Sequence, residues 1–205
     1  MNIIVFGASG KTGKLVVEQA LNLQHKVTAF VRNPTKLQIN HPNLQIIQGD
    51  ALDEEAVQTA VSGQEVVISC LGSSSGLGKT TVLHEMTQII VNAMKAKHVS
   101  RIIYMASAGI DKEIPGLIGK LTMKMLGNVL EDHHNAVEVI KKNDLIWTVA
   151  RPMGLSDNPP TGSYREELQG IPKGSRSISR ADVADFIIRA LTDEKYLNQS
   201  VALGN

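Results

Sequence analysis

The sequence lacks several features that define whole classes of protein. Of its 205 residues only 3% are aromatic, and Cys70 is the single cysteine, which excludes an intramolecular disulfide and a thiolate metal cluster. Lys and Arg total 21 against 20 Asp and Glu, so a net charge of +1 gives no large drive toward nucleic acid or anionic membranes. No apolar run reaches the roughly 18 residues of a membrane span, and no secretory leader is visible. We therefore expect a cytoplasmic protein whose partner is a small molecule, with no nucleic acid or membrane partner; the oligomeric state is left open.

What the sequence does contain is a regular alternation of strand and helix patterns. Six short apolar runs predict strands at 2–6, 27–31, 44–47, 65–71, 101–107 and 147–150, and helical spacing separates them at 14–23, 53–61, about 80–97 and about 130–142. Continuous apolar runs predict a sheet covered on both faces. Residues 1–205 are therefore predicted to form one α/β domain, a doubly wound, Rossmann-like and mostly parallel sheet. Residues 154–176 predict a long loop, and Ser179 with Asp182 predicts the start of a final helix.

A glycine loop follows the first predicted strand and opens the first helix. It reads Gly7-Ala8-Ser9-Gly10-Lys11-Thr12-Gly13. Glycines allow a tight turn and close approach to a pyrophosphate, and the helix N-terminus offers unpaired N–H groups to it. A tight structural turn without a ligand is the alternative. A phosphate loop of the NTPase type requires another glycine five residues before the second one, where this chain has Val5, or Ser73 for the similar Gly78-Lys79-Thr80.

The end of the second predicted strand indicates which dinucleotide the loop binds. An NAD site places Asp or Glu about 20 residues past the glycines, and this chain has Arg32 there. A guanidinium can bind a 2′-phosphate through two parallel hydrogen bonds, with Lys36 adding charge and Ser9 a hydroxyl. The sequence therefore predicts NADP(H) as the cofactor, unless both cations are ordinary surface charges.

Several further motifs resemble those of the atypical short-chain dehydrogenases/reductases of the NAD(P)H-binding, NmrA-like family, and in particular its flavin reductases. The likeness runs over nearly the whole chain. Besides the glycine loop, it rests on Val31-Arg32-Asn33-Pro34, Gly49-Asp50, Lys79-Thr80-Thr81-Val82, Glu131-Asp132-His133, Ala150-Arg151-Pro152 and Asp157-Asn158-Pro159-Pro160-Thr161-Gly162. Met153 stands where those reductases have histidine and Lys36 where they have arginine, departures that concern substrate preference more than cofactor.

The resemblance also implies roles for individual residues. It implies that Gly7, Ser9, Gly10, Lys11 and Thr12 line the pyrophosphate, Arg32 the 2′-phosphate, Asp50 and Ala51 the adenine, Leu71 and Gly72 the ribose, and Ser107 the nicotinamide, with Pro152, Met153 and Gly154 closing that end. Gly13 and Lys36 join this cofactor-binding set from the glycine loop and the turn after the second strand. The catalytic candidates are Ser107 and His133, and no metal ligand is predicted. Helical spacing turns His133 inward and His134 to solvent. His133 is then either a packed, hydrogen-bonded residue or a polar group in the wall of the active site.

The sequence lacks the Tyr-x-x-x-Lys pair of short-chain dehydrogenases that act on alcohols. Four residues after Tyr104, Tyr164 and Tyr196 stand Ala, Leu and Ser. Alcohol-dehydrogenase or sugar-epimerase chemistry of the usual kind is therefore not expected. The resemblance to flavin reductases implies instead an NADPH-dependent reductase that transfers hydride to a small, planar, conjugated acceptor such as a flavin or quinone. The alternative is a regulatory protein that senses NAD(P)H without turning it over. Residues 114–130 predict a core helix, with a pliable pocket wall or a partner surface as the other interpretations.

Overall fold

The computed structural model describes residues 1–72 and 78–205, and within them the chain forms an α/β fold. The strands are β1 (Asn2–Phe6), β2 (Lys26–Val31), β3 (Leu44–Gln48), β4 (Val66–Ser69), β5 (Arg101–Met105), β6 (Ile146–Pro152), β7 (Gly154–Ser156), β8 (Arg165–Glu167), β9 (Ser177–Ser179) and β10 (Gln199–Gly204). The helices are α1 (Lys11–Asn22), α2 (Glu54–Val61), α3 (Val82–Ala96), α4 (Gly116–Met125), α5 (Gly127–Lys141) and α6 (Arg180–Arg189). In these ranges, no helix combines the length and apolar composition that crossing a bilayer requires. Most of the predicted loop 72–79 lies outside the described residues.

The main sheet has the predicted doubly wound topology. Its order is β3-β2-β1-β4-β5-β6-β10-β8, and every neighbouring pair is parallel except β10 with β8. The strand order reverses between β1 and β4, which is where open α/β sheets bind their ligands. The prediction of a mostly parallel, Rossmann-like sheet is therefore confirmed.

Alternate residues of β1 supply the two cores of the domain. Ile3 and Val5 point into a cluster beneath α1 and α6, whereas Ile4 and Phe6 point into a cluster beneath α2, α3 and α5. All four are completely buried. Because both faces of the strand are buried, successive residues are apolar whichever face they point to. The strand is therefore a continuous hydrophobic run rather than an alternating one.

The last third of the chain differs from its prediction in two respects. Residues 154–176, predicted as loop, contain β7 and β8, and the unpredicted β10 extends the sheet beside β6. These strands are short or lie at the end of the chain, so their side chains carry little periodic signal. Ser179 does begin α6 as predicted, and its Oγ accepts a hydrogen bond of 3.0 Å from the Asp182 N–H.

The prediction of a simple core helix at 114–130 is wrong. The segment divides into α4 and the first turn of α5, joined at Leu126. Leu117, Leu121 and Met125 are 86%, 69% and 61% exposed. These three residues are spaced four apart and so share one exposed face of α4, whose principal packing contact is with α5.

A buried carboxylate from α5 caps α3. Thr81, the N-cap residue, makes no side-chain capping bond, and Asp132 instead accepts the backbone N–H groups of Leu83 at 3.1 Å and His84 at 2.9 Å. Asp132 is 1% exposed. These two bonds fix the N-terminal end of α3, the end that follows β4 in the chain. They therefore influence the geometry of the site.

Asp132→Ala should destabilise the protein because it leaves one buried and one partly buried N–H group without an acceptor. The expected loss is about 1.5–3 kcal/mol in the free energy of unfolding, measured by urea titration. Glu131→Ala, which removes the exposed carboxylate next to it, is the matched control and should change this value by less than about 0.5 kcal/mol. Equal losses in the two variants would contradict the capping role.

Candidate functional site

The glycine loop forms a tight turn at the switch point of the sheet. Gly7 has a positive φ of 74°, and its carbonyl accepts the N–H of Gly10 at 2.9 Å. A Cβ on Gly7 would lie 2.5 Å from the Cys70 carbonyl oxygen, and one on Gly13 only 2.2 Å from the Gly7 oxygen. Both positions therefore require glycine. The turn places the first residues of α1 directly over the ends of β1 and β4.

The N-terminus of α1 is left without a side-chain cap. Gly10 is its N-cap residue and supplies no side-chain acceptor, and the first turn contains no acidic residue. The N–H groups and the positive end of the helix dipole therefore remain available to an external anion. A phosphate group matches this arrangement of donors.

A cleft of about 510 Å³ opens in front of the loop. The residues that the sequence singled out and that line it are Gly7, Ser9, Gly10, Lys11, Thr12, Gly13, Arg32, Lys36, Asp50, Ala51, Leu71 and Gly72. They come from the ends of β1, β2, β3 and β4, as expected for neighbouring parallel strands. Ser107, His133, Pro152, Met153 and Gly154 are not among the lining residues.

The turn after β2 holds two cations at the wall of the cleft. The Asn33 side chain accepts the Thr35 N–H at 3.0 Å and, with Pro34 at the first position, starts a short 3-10 helix that ends at Lys36. Arg32 and Lys36 are exposed, and neither side chain has a hydrogen-bond or ion-pair partner among the described residues. No protein carboxylate in the described part of the chain therefore neutralises this wall.

The Gly49-Asp50 turn, after β3, lies beside the turn after β2, because the Gly49 N–H donates to the Val31 carbonyl at 3.0 Å. A Cβ on Gly49 would lie 2.4 Å from Cζ of Phe30, so only glycine lets the chain cross the Phe30 ring here. Asp50 Oδ1 accepts the N–H of Leu52 at 3.0 Å, which fixes the carboxylate at the rim. Ala51 is buried beside it and gives the wall a flat apolar surface.

The ends of β5 and β6 meet beyond the cleft. The Ala108 N–H donates to the Pro152 carbonyl at 2.9 Å, which places Ser107 beside Pro152. Arg151, 2% exposed, forms an ion pair with Glu113 and so ties the loop after β5 to β6. The Ser107 hydroxyl, half-buried, donates to the Ala108 carbonyl at 3.1 Å.

His133 points inward, as predicted, but away from the cleft. It is 7% exposed, and its Nδ1 lies 3.0 Å from the hydroxyl of the fully buried Tyr104. Burial lowers the pKa of His133 from 6.5 to about 4, although the Asp132 charge partly opposes the shift. The imidazole is therefore neutral at pH 7 and packed in the core beneath α5.

The three tyrosines are all engaged outside the cleft. Tyr104 bonds to His133, the Tyr164 hydroxyl donates to Asp185 at 2.7 Å, and the Tyr196 hydroxyl donates to Glu166 at 2.8 Å. Among the described residues, neither a tyrosine nor a histidine lines the cleft. Burial also raises the pKa of Cys70, at the cleft floor, to about 12, so its thiol is protonated.

Several residues that line the cleft had no predicted role in binding. Arg180, the first residue of α6, is the charged one among them, and the others are mainly apolar: Phe30, Val31, Leu52, Cys70, Val82, Met86 and Met105, with Gly49. Arg180 reaches the cleft because α6 packs on α1, a contact between elements more than 150 residues apart in the chain that no local pattern reveals. Within residues 1–72 and 78–205, no three His, Cys, Asp or Glu side chains are placed to hold a metal ion.

The fold and this site define a Rossmann-like domain built to receive a dinucleotide. The profile of the NAD(P)H-binding family matches residues 7–194, and the chain belongs to that family. An uncharacterized chloroplastic protein of Arabidopsis thaliana is 30% identical over 94% of this chain and 72% of its own length.

Solved structures of other proteins have the same fold. A short-chain dehydrogenase/reductase from Veillonella parvula in complex with NADP superposes with a TM-score of 0.82 at 23% identity, over 100% of this chain and 94% of that one. The anaerobillin reductase ChuY from Escherichia coli O157:H7 gives 0.82 at 22% identity, over 99% and 96%. Likenesses at this level of identity establish the fold.

The buried His133 should make stability depend on pH. Its folded pKa of about 4 lies below the unfolded value of 6.5, so the unfolded chain binds more protons between these values and stability falls as the pH falls through this window. Between pH 7 and pH 5 the expected loss from this group is about 2 kcal/mol by chemical denaturation. His133→Gln should remove that part of the pH dependence, and the exposed neighbour variant His134→Gln should keep it. An unchanged pH profile in His133→Gln would show that the imidazole is not held neutral.

Proposed function

We propose that the protein is an NADPH-dependent reductase of a small, planar, conjugated acceptor. The observation that carries the cofactor assignment is the pair of exposed cations Arg32 and Lys36 at the wall of the cleft, with no carboxylate partner among the described residues. A site for NAD would hold a carboxylate at that wall to bond the ribose hydroxyls. The NADP found in the Veillonella protein of the same fold agrees with this proposal.

Different residues of the cleft would contact different parts of the cofactor. The uncapped N–H groups at Gly10, Lys11 and Thr12 would hold the pyrophosphate. Arg32 would bind the 2′-phosphate through its fork of donors, and Lys36 would add a point charge. Ala51 and Leu71 supply the apolar surfaces on which the adenine and its ribose would lie.

The chemistry fits a conjugated acceptor better than an ordinary ketone. Bound NADPH supplies a hydride. An ordinary ketone needs a protein acid for the alkoxide that forms, and the tyrosines and His133 of this chain lie elsewhere. A flavin or quinone spreads the new charge and takes its proton from water. ChuY, a protein of the same fold, is an anaerobillin reductase, which supports a reduction as the reaction.

The region where β5 and β6 end would orient the reacting ring. Ser107, tied to Pro152 through Ala108, would exchange its bond with the Ala108 carbonyl for one to the nicotinamide or a nearby water. Met153 and Gly154 would close that end and exclude water. His133 would act at most through Tyr104, because it is buried and neutral.

A sensor without turnover is the second candidate. The composition of the cleft supports it: the titratable side chains that line the described cleft are Lys11, Arg32, Lys36, Asp50, Cys70 and Arg180, and neither a tyrosine nor a histidine is among them. Only an assay of turnover separates the two functions.

Arg32→Asp should reverse the preference between the two dinucleotides. The change replaces a charge-assisted bond of about 1.5–3 kcal/mol by repulsion of the 2′-phosphate, so the ratio of NADPH to NADH affinity should fall about ten- to a hundredfold. Isothermal titration calorimetry of both cofactors measures it. Lys97→Asp, at the far end of α3, is a control with the same change of charge. Equal affinities of the unmutated protein for NADPH and NADH would contradict the role of Arg32.

Oxidation of NADPH in the presence of riboflavin, FMN or a quinone tests the reaction itself. We expect turnover with at least one of them, no effect of chelators, and about a tenfold lower rate in Ser107→Ala, which loses one oriented hydrogen bond. His133→Ala should lower the rate less than Ser107→Ala once its folding has been verified. Tight NADPH binding without reduction of any acceptor would favour the sensor, and complete loss of turnover in a folded His133→Ala variant would assign the proton to the protein.

A further inference from the structure

One carboxylate, that of Asp157, bridges two cations of the cleft. Lys11 Nζ lies 2.5 Å from its Oδ2, and Arg180 Nη1 lies 2.5 Å from its Oδ1. Lys11 belongs to the glycine loop and Arg180 to α6, and both line the cleft. The hydrogen bond from Lys11 lowers the pKa of Asp157, which is therefore ionised at neutral pH.

A separate buried cluster anchors the segment that carries Asp157. The Asp182 carboxylate, 1% exposed, accepts the N–H groups of Thr161 and Gly162 at 3.0 Å and the hydroxyl of Ser179 at 2.9 Å. These bonds hold Thr161 and Gly162, at the end of the segment 157–162, against α6, and the pairing of Ser156 with Ser179 holds the residue before Asp157; neither contact depends on the ion pairs. Loss of the Asp157 charge should therefore leave the segment in place.

The Asp157 carboxylate disfavours the binding of a pyrophosphate, the group proposed to bind at this end of the cleft. The uncapped end of α1 and the two cations would attract a pyrophosphate. Asp157 carries charge of the same sign as the phosphates and already forms ion pairs with both cations. The Lys11 pair is largely exposed, since Lys11 is 69% and Asp157 60% accessible, and an exposed pair exchanges partners at small cost; Arg180 is 21% accessible but meets the same exposed carboxylate.

We propose that Arg180 is a phosphate-binding residue of the cleft and that Asp157 competes with the dinucleotide pyrophosphate for Lys11 and Arg180. When the cofactor binds, both cations turn from Asp157 to the phosphates. Asp157 thereby sets the affinity and lets the cofactor leave after each cycle. This inference rests on the proposed function, because it requires that a dinucleotide binds here.

Calorimetry with two probes tests the competition. NADPH carries the pyrophosphate, whereas adenosine 2′-monophosphate carries only the phosphate assigned to Arg32. Asp157→Asn should bind NADPH about three- to thirtyfold tighter at low salt and adenosine 2′-monophosphate unchanged, with a smaller gain at about 1 M salt. Arg180→Gln should bind NADPH about three- to tenfold more weakly and leave the second probe unchanged.

Glu138→Gln is the matched control, because Glu138 also faces two cations, Lys141 at 3.8 Å and Lys142 at 3.9 Å, but lies on α5 outside the cleft. It should alter neither affinity. NADPH affinity that is unchanged or reduced in Asp157→Asn, with its unfolding temperature preserved, would overturn the competition, as would an equal gain for both probes. If the unmutated protein binds neither probe, the proposed function itself fails.

Discussion

The contact between Gly13 and the carbonyl of Gly7 is the constraint on which the rest of the structure depends. With no side chain between them, the first turn of α1 rests on the backbone that leaves β1. Gly7 in turn lies against the Cys70 carbonyl, so the same turn is pressed onto the end of β4. Two strands and a helix therefore converge at one point, and the N–H groups of α1 are aimed at the crevice where the strand order reverses.

The second half of the domain reaches this point through α6. Because α6 packs on α1, it brings Arg180 and the anchored segment 157–162 to the glycine loop from the opposite end of the chain. The buried Asp182 ties this segment to the start of α6 by accepting bonds from Ser179, Thr161 and Gly162. The cleft is therefore built from both halves of the sequence, although the glycine loop alone identifies it.

Much of this could be predicted from the sequence, and the reason lies in the local nature of the signals. The glycine loop, the Asn33-Pro34 turn and the cap at Ser179 are decided by neighbours within a few residues, and a buried parallel strand such as β1 is apolar throughout. The prediction failed where tertiary contacts decide. The segment that forms α4 was predicted to be a core helix because residues such as Leu117, Leu121 and Met125 are apolar. Burial, however, depends on a packing partner, which helical periodicity cannot reveal.

The same distinction limits what the sequence indicates about residue roles. Helical spacing turned His133 inward, yet only the structure shows that it meets the hydroxyl of Tyr104 rather than the cleft. No sequence pattern indicated Arg180 as a residue of the site, since an arginine at the start of a helix is usually solvated. Its proximity to Lys11 arises from α6 crossing α1, and the shared bonds to Asp157 follow from that crossing.

The electrostatics of the cleft explain how a nearly neutral chain can select an anion. With a net charge of +1 the protein exerts no long-range attraction, so recognition must depend on groups within a few ångströms of the ligand. At the end formed by β2, Arg32 and Lys36 have no partner among the described residues and can meet a phosphate directly. At the end formed by α1, the cations are already held by Asp157, and the uncapped backbone N–H groups are the donors that need no exchange. A ligand with a phosphate on its ribose gains most where no protein charge has to be displaced. Discrimination between dinucleotides should therefore reside at β2, whereas the pyrophosphate end should govern how long either one stays bound.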